Sequence, residues 1–98
     1  MKINTHLKWT FLGTIKTTNG TLKVPEEATE CLIYTRDVYY DKNDCIMTSH
    51  LIKTDYDIGQ HGFFGADGQI YFMYTSTTKI IKVVYRAQSD ESITVWYR

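Results

Sequence analysis

At 98 residues the chain has room for one compact domain, spanning 1–98, and its 43% hydrophobic content is enough to fill a core of that size. Eleven basic and eleven acidic residues cancel, and the lysines are scattered, so the basic stripe that binds phosphate backbones is missing and no nucleic-acid partner is expected. No apolar run approaches the roughly 20 residues of a membrane-spanning helix, and MKINTHLKWTFLG lacks the unbroken apolar centre of a secretory signal; both point to a soluble protein without membrane insertion.

The first element is KWTFLGTIK. Trp9, Phe11 and Ile15 alternate with Thr10, Thr14 and Lys16, the period of a half-buried strand. Asn19-Gly20 favours a turn with positive backbone dihedrals, and Leu22 and Val24 then share one face, which together read as a hairpin closed by Pro25. Pro25-Glu26-Glu27-Ala28 allows one helical turn at most. A β-branched and aromatic run follows from Cys31 to about Tyr40, then the polar turn Asp41-Lys42-Asn43-Asp44, then a strand from Cys45 to Thr54. In that hairpin Cys45 is expected opposite Tyr40 and Cys31 opposite Thr54. The two thiols would lie at opposite ends, beyond the roughly 7 Å limit for a disulfide, and both are expected to be reduced.

Residues 55–68, DYDIGQHGFFGADG, read as a loop with a short strand around Phe63-Phe64 and a turn at 66–68. Strands are expected at QIYFMYT, at KIIKVVYR with Ile81, Val83 and Tyr85 on one side, and at SITVWYR with Ile93, Val95 and Tyr97 on one side. The sum is all-β: a small β-sandwich, jelly-roll-like, of about eight antiparallel strands.

Catalytic equipment is hard to find. His6, His50 and His61 accompany no nucleophile elbow, and each is read as structural. The acids at 37, 41, 44, 55 and 57 lack calcium-loop spacing, the cysteines lack zinc spacing, and the glycines at 59, 62, 65 and 68 precede a strand where a dinucleotide site needs a helix. The expectation is a protein that is not an enzyme, with no cofactor and no metal. The surplus is tyrosine, at eight copies. Tyr39, Tyr40, Asp41 and Asn43 around the first polar turn, with Tyr56 and His61 in the following loop, make up a possible ligand-binding set, because tyrosine offers rigid apolar area with a polar tip. Trp9 and Trp96 suit a core or a subunit interface better than a ligand platform.

Trp9, Phe11, Leu12 and Gly13, then Val24-Pro25, then Glu30-Cys31-Leu32-Ile33, and the closing Trp96-Tyr97-Arg98 together resemble small β-sandwich domains of bacteriophage and prophage tail proteins, of tail-fibre or receptor-binding type, from Firmicutes and other gut bacteria. The resemblance is specific at the two ends of the chain; the middle, 41–68, carries no matching motif. It implies a virion component near the host-facing tail tip, made in the bacterial cytoplasm, with no catalytic residues. It also implies homo-oligomerisation, a trimer in particular, with Trp9 and Trp96 as interface anchors and other virion proteins as neighbours. Attachment to a bacterial surface receptor, a saccharide among them, is the function expected. The alternatives are a purely structural virion role, such as head decoration or a connector, and a small intracellular phage protein that inhibits a host factor.

Overall fold

The computed structural model describes residues 8–38, 45–64 and 69–98, with 36–38, 45–48 and 64 described through their backbone. Eight strands run in chain order: β1 (Thr10–Ile15), β2 (Thr21–Lys23), β3 (Glu30–Val38), β4 (Cys45–Lys53), β5 (Ile58–Phe64), β6 (Gln69–Thr75), β7 (Ile80–Arg86) and β8 (Ile93–Tyr97). They form two four-stranded antiparallel sheets, β1-β8-β3-β4 and β2-β7-β6-β5. The chain is all-β, a small β-sandwich with no helix among the described residues. Its jelly-roll-like character lies in β1 beside β8 and β2 beside β7 on opposite sheets, while β3–β4 and β5–β6–β7 are sequential antiparallel neighbours.

Inward-facing residues from both sheets close the core. Cys31, Ile33, Ile52, Ile93 and Val95 come from the first sheet; Phe63, Ile70, Phe72, Tyr74, Ile81 and Val83 come from the second. Removing that apolar area from water, at about 25 cal/mol per Å², is the main force holding the sheets together. Buried polar groups are partnered. The Tyr74 hydroxyl donates to the Thr54 carbonyl at 2.8 Å, Thr54 Oγ1 donates to the Ala28 carbonyl at 2.8 Å, and Thr35 Oγ1 donates to the Ser92 carbonyl at 2.7 Å.

The structure corrects the opening segment. β1 and β2 are not a hairpin, because β1 pairs with β8 and β2 with β7; the Thr17–Gly20 turn carries the chain from one sheet to the other. Asn19 N–H donates to the Val83 carbonyl at 2.8 Å and Val83 N–H to the Gly20 carbonyl at 3.0 Å, so the turn is captured by β7 rather than folded back on β1. Asn19 takes the left-handed conformation, with φ of 69°, but Gly20 does not. Gly20 answers to space instead, since a Cβ there would stand 2.6 Å from Thr17 Oγ1 and 2.7 Å from Ile15 Cγ2.

A bulge between Phe11 and Gly13 breaks the period of two in β1. Ile15 is buried, Leu12 packs against the core, and Phe11 turns outward at 53% exposure, so Phe11 and Ile15 do not share a face. A second irregularity pairs Tyr71 with Tyr85 and Phe72 with Val83, leaving Val84 extra. Tyr85 is thereby parted from Ile81 and Val83 and lies exposed against Tyr71, ring centroids 5.9 Å apart.

In the β3–β4 ladder Val38 faces Cys45 and Cys31 faces Ile52, two residues from the register expected from the sequence. An even offset keeps every side chain on the same face, so the inward set survives. Cys31 is a buried free thiol at the opposite end of the ladder from position 45. The 55–68 region is less of a loop than its glycines suggest. β5 occupies 58–64, which puts His61 in a strand, and 66–68 lie outside the described residues.

Candidate interaction face

Sheet β1-β8-β3-β4 buries one face. On the other, register alone aligns three rows of side chains across all four strands. The first row places Arg98, Glu30 and Lys53 side by side. Arg98 Nε donates to Glu30 Oε1 at 3.0 Å, Lys53 Nζ lies 3.8 Å from Glu30 Oε2, and the Arg98 guanidinium sits 4.2 Å above the Trp9 ring. Trp9 is therefore half-buried under a cation on the outer surface and takes no part in the core.

The second row is apolar. Phe11 faces Trp96, Trp96 faces Leu32, and Leu32 faces Leu51. With strands ~4.8 Å apart, this row crosses the sheet over about 15 Å between its outer members. Phe11 meets Trp96 edge to face, centroids 5.3 Å apart at 71°. Trp96 Nε1–H donates to the Tyr34 hydroxyl at 3.2 Å, which ties the indole to β3. Phe11 and Leu51, at the two ends, are 53% and 48% exposed. The third row carries hydroxyls: Thr14, Thr94, Tyr34 and Ser49, with Thr14 Oγ1 and Thr94 Oγ1 3.3 Å apart.

Of the residues singled out from the sequence, only Trp9 and Trp96 come together here. Tyr39, Tyr40, Asp41 and Asn43 lie outside the described residues. Tyr56 is 65% exposed in the turn between β4 and β5 and belongs to none of the three rows. Its neighbour Asp57 accepts from Ser76 N–H at 2.7 Å and from Ser76 Oγ at 2.8 Å, and those two bonds, the backbone one first, hold its carboxyl below the usual range. His61 points inward. Its register partner is the fully buried Phe72, and its ring stacks on His50 at 3.9 Å, so it is not an outward ligand group.

Phe11, Leu32 and Leu51 escaped the sequence reading. One signal was present: ECLIY and TVWY are apolar at both parities, whereas a strand covered on one side alternates. Among the described residues no group of three or more His, Cys, Asp or Glu is disposed to hold a metal ion. Burial drives the Cys31 thiol up to about 11, Lys79 opposing, which makes it a poor nucleophile at neutral pH. No protein-family model, curated protein or solved structure matches this chain.

Proposed function

We propose that the protein is a non-catalytic attachment module of a phage or prophage tail, which self-associates through the outer face of sheet β1-β8-β3-β4 and meets a bacterial surface receptor, saccharides included, through turns at the ends of the sandwich. The Phe11–Trp96–Leu32–Leu51 row is the observation that carries the self-association. An apolar strip with ions on one side and hydroxyls on the other has the core-and-rim composition of a protein interface. A second copy turned by two-fold rotation about the strip would lay its ion row over the first copy's hydroxyl row, so that charged groups meet donors and acceptors of either kind. Covering the half-exposed Phe11 and Leu51 would contribute about 1 kcal/mol each.

The virion setting rests on the resemblance of Trp9, Phe11–Gly13, Val24-Pro25, Glu30–Ile33 and Trp96–Arg98 to phage tail domains. Light scattering on the purified protein should return a multiple of 11.4 kDa, and Leu51→Glu should reduce it to a single protomer with unchanged far-UV circular dichroism. A single-protomer mass for the unaltered protein overturns the self-association. Replacing Tyr39 and Tyr40 by Ala should weaken binding to host cells without altering the mass, and unchanged binding removes that turn from the receptor site. A purely structural virion role draws on the same apolar row, and would leave cell binding absent in every variant.

A further inference from the structure

At the open edge between β4 and β5, which belong to different sheets and share no backbone pairing, His50 and His61 face one another. The rings are parallel to within 16° and their centroids are 3.9 Å apart. His50 stands opposite the fully buried Ile33, and His61 opposite the fully buried Phe72, so both rings are aimed into the sandwich. Phe63 meets the edge of His61 at 5.3 Å, and Phe72 lies 5.5 Å from His61 and 6.3 Å from His50. Both rings are half-buried, and among the described residues their ring neighbours are aromatic and neither imidazole has an ion-pair partner.

We infer that this stack is a proton-operated latch: neutral rings hold the β4 and β5 edges together, and protonation of both sets two like charges face to face and parts that edge of the sandwich. Parallel imidazoles attract when at most one is charged. Two imidazolium rings at this separation repel, and their half-burial beside Phe63 and Phe72 leaves that repulsion less screened than it would be at an open surface.

Among the described residues, the groups around the stack do not supply a rival explanation. From β3 the inward row is Cys31, Ile33 and Thr35, from β4 Ile52, from β5 Phe63, and from β6 Ile70, Phe72 and Tyr74. Of these only Cys31 and Tyr74 titrate, and burial, the leading cause for both, pushes them upward, so both stay neutral between pH 5 and 8. In β3, Glu30 is the acid nearest Ile33 but lies on the outer face, held by Arg98 and Lys53, while Asp37 pairs with Ile46, about 13 Å along the strand from the Ile33–His50 pair. Asp57, four residues before His61, is engaged by Ser76. Burial first and His50 second hold His61 below its ordinary value, which agrees with the geometry.

The latch goes beyond attachment. β4 begins directly after residues 39–44 and β5 ends directly before 65–68, so parting the edge loosens the two strands that flank those segments. Amide hydrogen exchange on the full chain, expressed as protection relative to intrinsic rates, tests it. Between pH 8 and pH 5, protection in β4 and β5 should fall at least ten-fold more than in β8 and β3, and in the His50→Gln variant that excess should vanish. A uniform fall across both sheets, or an undiminished excess in His50→Gln, overturns the latch. Should His50→Gln fold poorly, the same exchange comparison on His50→Phe decides, since it restores a ring that carries no charge: an undiminished excess in β4 and β5 there overturns the proposal.

Discussion

Tyr74 shows how much one side chain can settle. Its ring is fully buried in the second sheet, and its hydroxyl reaches the Thr54 carbonyl at 2.8 Å, while Thr54 in turn donates to the Ala28 carbonyl at 2.8 Å. This relay ties β6 to the β4–β5 turn and to the segment before β3, so one aromatic residue fixes where the chain crosses between sheets. Burial raises the Tyr74 phenol, so it is the protonated donor at neutral pH. Tyr74→Phe keeps the ring's volume and strands the Thr54 carbonyl. It should cost about 1–3 kcal/mol in urea denaturation, with the slope unchanged. A loss under a few tenths of a kcal/mol would mean that the carbonyl finds another donor.

Among the elements, the β1–β2 connection separates what local sequence decides from what register decides. The strands themselves were legible: alternation marks β6, β7 and β8, and polar turn formers mark the boundaries. Asn19-Gly20 was rightly read as a turn but wrongly as a hairpin, because two short apolar runs around a turn look alike whether they pair or part. What parts them is β7, which takes Asn19 and Gly20 into its own hydrogen bonding. Crowding holds the turn in place. Gly20→Ala puts a Cβ against Thr17 Oγ1 and Ile15 Cγ2, and thermal or urea unfolding should show a loss of about 1–3 kcal/mol. The bulges after Phe11 and at Val84 were illegible for a related reason: an extra residue in one strand is visible only against its partner. Of the apolar row the sequence carries only the apolar runs at both parities in β3 and β8, and not the alignment. Its members are residues 11, 32, 51 and 96, and only the pairing of four strands makes them neighbours.

At the scale of the molecule, acidity should act through the interior. His61 is held below its ordinary value in the folded state, by burial and then by His50. The unfolded chain therefore binds more protons than the folded one in the window below pH ~6.5. The stability this neutral ring contributes is fully present above that pH and is lost as pH falls through the folded value. Asp57 acts in the same direction at lower pH: its carboxyl is held down by Ser76, so its contribution is present above the ordinary carboxylate range and lost below it. Thermal midpoints should be flat from pH 8 to 7 and decline from about pH 6.5 downward, and His61→Phe should remove the first part of that decline. A flat profile between pH 7 and 5 for the unaltered chain would contradict this.

β8 lies between β1 and β3 in its sheet, yet it is the last of the eight strands in chain order. On a ribosome, β1 and β3 emerge with an empty lane between them, and the five residues Ile93–Tyr97 are the keystone that joins them. Until they arrive, the Phe11 and Leu32 edges stand unpaired and open to other chains. A nascent chain halted before Ile93 would hold β1 to β7 and no finished first sheet, an open-edged fragment rather than a smaller version of the fold.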